Sequence, residues 1–314
     1  MCNAPCGAWN HMSFELHQRK HIENELLGVA RRQLRRGTEA LKQRDARTVG
    51  TGVHEARRSV KKARAIVKTL RDAGADVPRK DRRRLRKASR QLSGLRDSAA
   101  IVDTFDRLRK RYPKRLAEHS YGILRRALLE ARERQEECAR RDGVLDHVAD
   151  QLDKSRRDAK HWEAPDLDVR ALIDVVAVSY RRSRRAMKRA RRTHLSATLH
   201  GWRKELKTAW YQLRLVKRLA PGVTPVVAGL KRLETELGED HNLVVLAATL
   251  RACSELKAMN AEVRQIDALA ARMRQGLRTR AFAMGARLHR RAPDDVASWL
   301  RRLAEHGVVK NAAA

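Results

Sequence analysis

The sequence predicts an all-α protein, and three observations carry that prediction. Apolar residues recur at spacings of three and four through almost every segment after Phe14, prolines fall between those segments, and no stretch alternates as a strand would. The first group of helices is expected over residues 14–45, 53–72, 78–111, 113–140 and 143–161, with Pro78, Pro113 and Gly143 at the starts of the last three. Glu163-Ala164-Pro165 breaks the pattern. A second group is expected over residues 167–192, 197–219, 224–259 and 261–290, and Pro293 opens a short terminal helix. Two successive groups imply two bundles, and 314 residues are enough for one large domain or two ordinary ones.

The charge is lopsided. Lys and Arg number 71 against 37 Asp and Glu, a formal net charge of 71 − 37 = +34. Self-repulsion of that size is best tolerated beside a polyanion: nucleic acid, an anionic membrane surface, an acidic protein or a phosphate polymer. Aromatic residues make up only 4% of the chain, too few to stack bases as a dedicated single-strand binder does. Cys2, Cys6, Cys138 and Cys253 are too sparse for a disulfide framework, which fits a reducing compartment. Cys2 and Cys6, followed by His11 and His17, are too irregularly spaced for a zinc site, so no metal is expected. The longest apolar runs, such as residues 243–250, are far shorter than a membrane span, and no secretory signal opens the chain, so a cytoplasmic location is expected. Residues 1–13 read as an N-terminal extension outside the fold.

The second group of helices echoes the first. His54-x-x-Arg57-Arg58-x-x-Lys61 reappears as His200-x-x-Arg203-Lys204-x-x-Lys207, at an offset of 200 − 54 = 146. Leu92-Ser93-Gly94-Leu95-Arg96-Asp97 is answered by Leu237-Gly238-Glu239-Asp240-His241-Asn242, at 242 − 97 = 145. Two motifs repeating in the same order at nearly one separation predict two related halves, about 14–162 and 165–314, packed with pseudo-two-fold symmetry.

Stepping each residue by about 100° around the helix axis separates the chemistry of the repeated helix. Arg57, Arg58, Lys61, Lys62, Arg64 and Lys68 cluster about His54, while Val53, Ala56, Val60, Ala63, Ile66, Val67 and Leu70 take the opposite arc. In the second half Arg203, Lys204, Lys207, Tyr211, Arg214 and Arg218 cluster about His200, opposite Leu199, Trp202, Leu206, Ala209, Leu213 and Val216. Each helix is thus expected to be a rail of cations mounted on a core. Carboxylates that would normally interleave such a face are missing after Glu55, at a cost of about 1 kcal/mol summed over like-charge pairs. Anions outside the helix are expected to supply the balance. Steps of three or four residues advance roughly 4.5 to 6 Å, a ladder of phosphate-sized sites. Thr51 and Ser196 are the expected N-caps, placing both histidines in a first turn where an anion is favoured and an imidazole gains a proton more easily.

With these residues the sequence resembles the CHAD family, the conserved-histidine α-helical domains. The likeness rests on the two histidine motifs and Leu237-Gly238-Glu239-Asp240-His241-Asn242-Leu243, and runs from about His21 to the last helices. It implies a pair of related four-helix bundles whose basic faces line a central groove or pore. It implies binding of inorganic polyphosphate and localisation to polyphosphate granules. His54, Arg57, Lys61, Lys62 and Arg64 match the first basic motif, and His200, Arg203, Lys204, Lys207 and Tyr211 the second. Trp210 departs from the family, which commonly has an arginine beside the tyrosine, so the second half is expected to grip with one fewer cation. Arg96 and His241 are equivalent and extend the basic lining, whereas Asp97 and Asn242 are expected to fix helix geometry. Arg31, Arg35, Arg181, Arg185 and Lys188 either widen the basic surface or are solvated.

Some relatives carry a fused triphosphate tunnel domain with a Glu-x-Glu-x-Lys motif, which this sequence lacks. Neither a Walker-type loop, a paired-histidine metal motif nor a nucleophile with an evident base is present. The expectation is therefore a binder without catalysis or cofactor, its partner inorganic polyphosphate. A sequence-tolerant, nucleoid-type DNA or RNA binder is the alternative.

Overall fold

The structure, a computed structural model, describes residues 14–43, 49–291 and 295–311, and for residues 49, 96, 97, 99 and 306–311 the backbone alone. The expectations on Cys2, Cys6 and His11, and on the side chains of Arg96 and Asp97, lie outside what is described. The described residues are all-α, as the sequence predicts. The helices are α1 (Ile22–Lys42), α2 (Val49–Asp72), α3 (Arg79–Arg111), α4 (Glu118–Arg141), α5 (Val144–Asp158), α6 (Val169–Thr193), α7 (Ser196–Val216), α8 (Thr224–Ala252), α9 (Asn260–Leu288) and α10 (Asp295–Asn311). Short 3-10 turns follow α5 and α8, and the only β-pairing among the described residues is an isolated bridge between Asp76 and Glu163.

The helix expected from Pro113 begins only at Glu118, and three other boundaries differ from expectation for identifiable reasons. Residues 14–20 form a strap rather than the start of α1. The Leu16 N–H donates to the Leu215 carbonyl at 2.8 Å, and Phe14 and Leu16 are buried. The Glu25 carboxylate, one turn into α1, accepts from the His17 and Gln18 N–H groups at 2.9–3.0 Å. The spacing of Phe14 and Leu16 therefore reflects packing across α7 and not a helical face. Next, α2 begins at Val49, ahead of Thr51, because Gly52 lets it cross α1 closely: a Cβ there would lie 2.4 Å from the Ala40 carbonyl oxygen. Finally, α8 stops at Ala252, where Cys253 turns extended before the 3-10 segment Ser254–Met259.

The apolar side chains gather into two cores, and each draws on both halves of the chain. The larger joins α1, α2, α5 and the first part of α3 to α6, α7, α10 and the first part of α8, around Leu26, Ile66, Leu70, Tyr180 and Trp202. The smaller joins Ile101, Phe105 and Leu108 of α3 and Leu124 and Leu128 of α4 to Leu243, Leu246 and Leu250 of α8 and Ile266 and Leu277 of α9. The break at residue 165 thus does not separate one core from another. The reason is length: α3 has 33 residues, about 50 Å at 1.5 Å per residue, and with α8 it passes from one core into the other.

Close packing fixes the end of α9 against α6 and α7. A Cβ on Gly285 would sit 2.7 Å from Met187 Sδ and 2.8 Å from the Trp202 ring. Gly285→Val is expected to lower stability by about 1–3 kcal/mol through overpacking. Gly122→Ala in α4, where a Cβ meets nothing within 4 Å, is expected to raise it by up to about 1 kcal/mol. Urea unfolding of both variants checks the contrast.

Candidate polyanion-binding surface

The apolar arcs expected for the two repeated helices are buried to the last residue. In α2, Val53, Ala56, Val60, Ala63, Ile66, Val67 and Leu70 line the core, as do Leu199, Trp202, Leu206, Ala209, Leu213 and Val216 in α7. Each such leucine, isoleucine or valine contributes about 1.5–3 kcal/mol by leaving water. That burial fixes the rotation of both helices and turns the cationic arcs away from it.

On α2, His54, Arg58 and Arg64 are exposed, and Arg57, Lys61 and Lys68 are half-buried. Arg64 donates to Ser89 Oγ of α3 at 2.9 Å. Carboxylates stand at the two ends of this rail. Glu55 pairs with Arg36 at 2.7 Å and Arg58 at 3.3 Å, and Asp72 pairs with Lys68 and with Arg182 of α6, both at 2.9 Å. On α7, Lys204 is exposed, whereas Arg203 and Lys207 turn inward to Glu234 of α8 at 3.2 and 3.0 Å. Lys231 reaches the same carboxylate at 3.0 Å. Burial by itself would raise the Glu234 pKa; Lys207, Arg203 and Lys231 together outweigh it and hold the group at about 2. The charge compensation expected to be absent is therefore partly present, supplied by a neighbouring helix. Arg218 falls beyond the end of α7.

The two rails meet at a seam built on the strap. The Phe14 ring receives Lys62 Nζ of α2 at 5.5 Å and the Arg214 guanidinium of α7 at 5.3 Å, with Tyr211 edge-on at 5.8 Å. Trp210 lies under Arg214 at 5.1 Å and Lys231 at 5.2 Å, so this departure from the family supplies an aromatic shelf for two cations. Lys62, expected on the open rail, is only 7% exposed. Burial first, then Arg214, Arg58 and Arg36, pull its pKa down to about 8, against a partial lift from Glu55. Neither Lys62 nor Arg214 makes an ion pair among the described residues. Burial pushes the Tyr211 hydroxyl up to about 12, leaving a neutral phenol in the seam.

The histidines need correction. Thr51 lies inside α2, and the residue before α7 is Leu195, without a side-chain cap. Ser196 Oγ instead accepts from Arg274 at 2.8 Å. Both histidines therefore stand beyond the first turn. The His200 ring packs on His241 at 4.6 Å, which brings the two repeated motifs of the second half together, and its buried Nδ1 has no hydrogen-bond partner among the described residues. Burial, His241, Lys204 and Arg203 lower its pKa to about 4, so His200 is a neutral ring here and not a cation. Asn242 borders a small cleft with Ala100, Ile101, His241 and Val245. Away from the seam, Arg185 and Lys188 are exposed on α6, Arg31 is half-buried on α1, and Arg35 pairs with Glu39 at 3.6 Å.

Sequence reasoning missed Phe14, Lys231, Glu234, Arg86 and Arg90. The last two approach Arg64 closely enough that, after burial, they lower its pKa. Their signal was the four-residue spacing Arg82, Arg86, Arg90, which stands outside the repeated motifs. His21, Glu23 and Asp166 converge near the start of α1, but Glu23 already accepts from the Leu167 N–H at 2.9 Å and from Asn24 at 2.8 Å.

A family model for the CHAD domain matches residues 26–251. The crystal structure of the CHAD domain from the plant Ricinus communis is similar in fold, with a TM-score of 0.62 at 17% identity. That likeness covers 90% of this chain and 98% of the plant one. No curated protein matches the chain.

Lys62 gives the surface a pH signature. Its folded pKa of about 8 lies below the 10.5 of a free lysine, so between those values the unfolded chain holds the proton and the folded chain does not. The contribution of Lys62 to stability therefore rises with pH across that window. Lys62→Met is expected to be more stable than the wild type at pH 7, and the difference is expected to shrink as pH approaches 10.5. Urea unfolding at stepped pH measures it.

Proposed function

The chain belongs to the CHAD domain family, and from that premise we propose that it binds inorganic polyphosphate without cutting it. The ligand runs along the α2 and α7 rails, held by charge-assisted hydrogen bonds from Arg57, Arg58, Lys61, Lys62, Arg64 and Lys68 of the first half and Arg203, Lys204, Lys207 and Arg214 of the second. Tyr211 and His200 line the path as neutral groups, His54 lies along it on α2, His241 packs behind His200, and Arg96 stands at the repeat position equivalent to His241. The observation that carries the reading is the seam: Lys62 and Arg214, one from each half, converge on Phe14 without an ion pair among the described residues. A phosphate chain laid there supplies the missing negative charge. A binder also fits the acidic groups beside the rails, since Glu55, Asp72 and Glu234 are all engaged in ion pairs. Docking of the chain on polyphosphate granules follows from the same affinity. No helix among the described residues is long and apolar enough to cross a membrane.

In competition at physiological salt, long-chain polyphosphate is expected to displace duplex DNA. Replacing Arg57, Lys61, Arg203 and Lys207 together by alanine is expected to weaken polyphosphate binding and to flatten its log–log salt dependence by about 3. Displacement in the opposite sense, or unchanged binding by the fourfold variant, would sink the reading in favour of a nucleic-acid binder. A phosphate chain in the seam favours charged Lys62, so binding at pH 8.5 is expected to take up protons. Calorimetry in buffers of different ionisation enthalpy reads the uptake, and Lys62→Met is expected to abolish it.

A further inference from the structure

The first half carries a cationic stripe that its repeated motifs do not contain. Arg79, Arg83, Arg86 and Arg90, spaced four, three and four residues apart on α3, fall within an arc of about 60° and are all exposed. Leu85, Ala88 and Leu92 take the opposite arc and are buried. None of the four arginines makes an ion pair among the described residues; Asp81 and, from α5, Asp158 are turned to Arg84 instead, at 3.3 and 2.7 Å. The stripe meets the α2 rail at Arg64. That guanidinium donates to Ser89 Oγ at 2.9 Å, one residue before Arg90, and Arg86 and Arg90 stand close enough to lower its pKa, after burial as the larger cause. The next cation of the rail, Lys68, is held by Asp72, which also holds Arg182. By the offset that relates the α3 and α8 motifs, 79 + 145 = 224, the second half has Thr224, Ala228, Lys231 and Thr235 at the four positions, so the stripe is not duplicated.

We propose that the α3 stripe is a further stretch of polyphosphate-binding surface, entered from the α2 rail at Arg64, and that it makes the grip depend on polymer length. The proposal rests on the polyphosphate reading and adds to it a preference for long chains. Like charges three and four residues apart on a helix oppose one another, and phosphate oxygens laid along the stripe supply the opposite sign. Arginine suits that role, because its planar fork meets phosphate oxygens two at a time and stays charged in any setting. From Arg79 to Arg90 is 90 − 79 = 11 residues, about 16 Å along the axis, and the α2 rail from Arg57 to Lys68 has the same length. The stripe therefore doubles the length of cationic helix face in the first half. A short oligomer is held by the rail alone. A long chain follows the rail to Arg64 and continues along α3, where each arginine it meets releases further counterions.

The test titrates tripolyphosphate and long-chain inorganic polyphosphate into the full chain in three forms. These are the wild type, an α3 variant with Arg79, Arg83, Arg86 and Arg90 replaced by glutamine, and an α6 variant with Arg185, Lys188, Arg189 and Arg192 so replaced. The α6 variant controls for charge, since it loses the same four cations from exposed positions on a helix outside the proposed path. The α3 variant is expected to bind the long chain about tenfold or more weaker than the α6 variant, with a salt slope flatter by about 3, and to bind tripolyphosphate within about twofold of it. Arg79→Gln with Arg83→Gln leaves Arg86 and Arg90 beside Arg64 and decides if the fourfold variant does not fold. That pair is expected to weaken long-chain binding about threefold against Arg185→Gln with Arg189→Gln. Equal long-chain affinity of the α3 and α6 variants overturns the proposal. So does an equal loss of tripolyphosphate by the α3 variant, which puts the arginines in the α2 site itself and not in an extension of it. Failure of the polyphosphate reading shows earlier, on the wild type, where duplex DNA then outcompetes the long chain, and it takes the proposal with it.

Discussion

Everything cationic in this molecule depends on a layer that is not. The apolar arcs of α2 and α7 are buried almost completely, and that burial alone sets the rotation at which their arginines and lysines point. A chain with a formal charge of +34 folds because several such arcs, each worth many times the few tenths of a kcal/mol lost per like-charge pair, meet in shared cores. The repulsion is then a local and affordable strain, concentrated where Lys62 and Arg214 face the same ring.

The protein answers that strain in three ways. At the ends of the first rail, Glu55 and Asp72 tie exposed cations to α1 and α6. At the seam, aromatic faces substitute for carboxylates: Phe14 and Trp210 offer negative ring faces to Lys62, Arg214 and Lys231. Under the second rail Glu234 gathers three cations at once. An aromatic face attracts a cation without filling its hydrogen-bonding capacity, which leaves those N–H groups able to meet another acceptor. A carboxylate fills it.

What was legible in the sequence was whatever depends on one helix at a time. The 100° stepping that separated Val60 and Ile66 from Arg57 and Lys61 needs no partner, and the helices formed nearly where the period placed them. Lys62 could not be read as buried, because its environment is made by Phe14 from a strap 48 residues earlier and by Arg214 from the other half. Glu234 was invisible for the same reason, since it lies 27 residues beyond Lys207 on another helix, in a segment whose recognised motif begins only at Leu237. The Thr51 cap misled because a close approach at Gly52 extended α2 past it. Duplication supplied what single-helix reasoning lacked, marking which basic faces belong together. It said nothing about how the two copies had diverged, as at Ser89, which stands at the offset of Glu234.

Because α3 and α8 run through both cores, the sequence repeat is not a boundary in the folded molecule. Neither repeat has an interior of its own. Phe105 of the first copy and Leu246 of the second belong to one interior, so neither half could be inherited, swapped or lost without exposing the other's apolar surface. The two rails therefore stand on one shared foundation, and a cut through the chain near residue 165 would undo both.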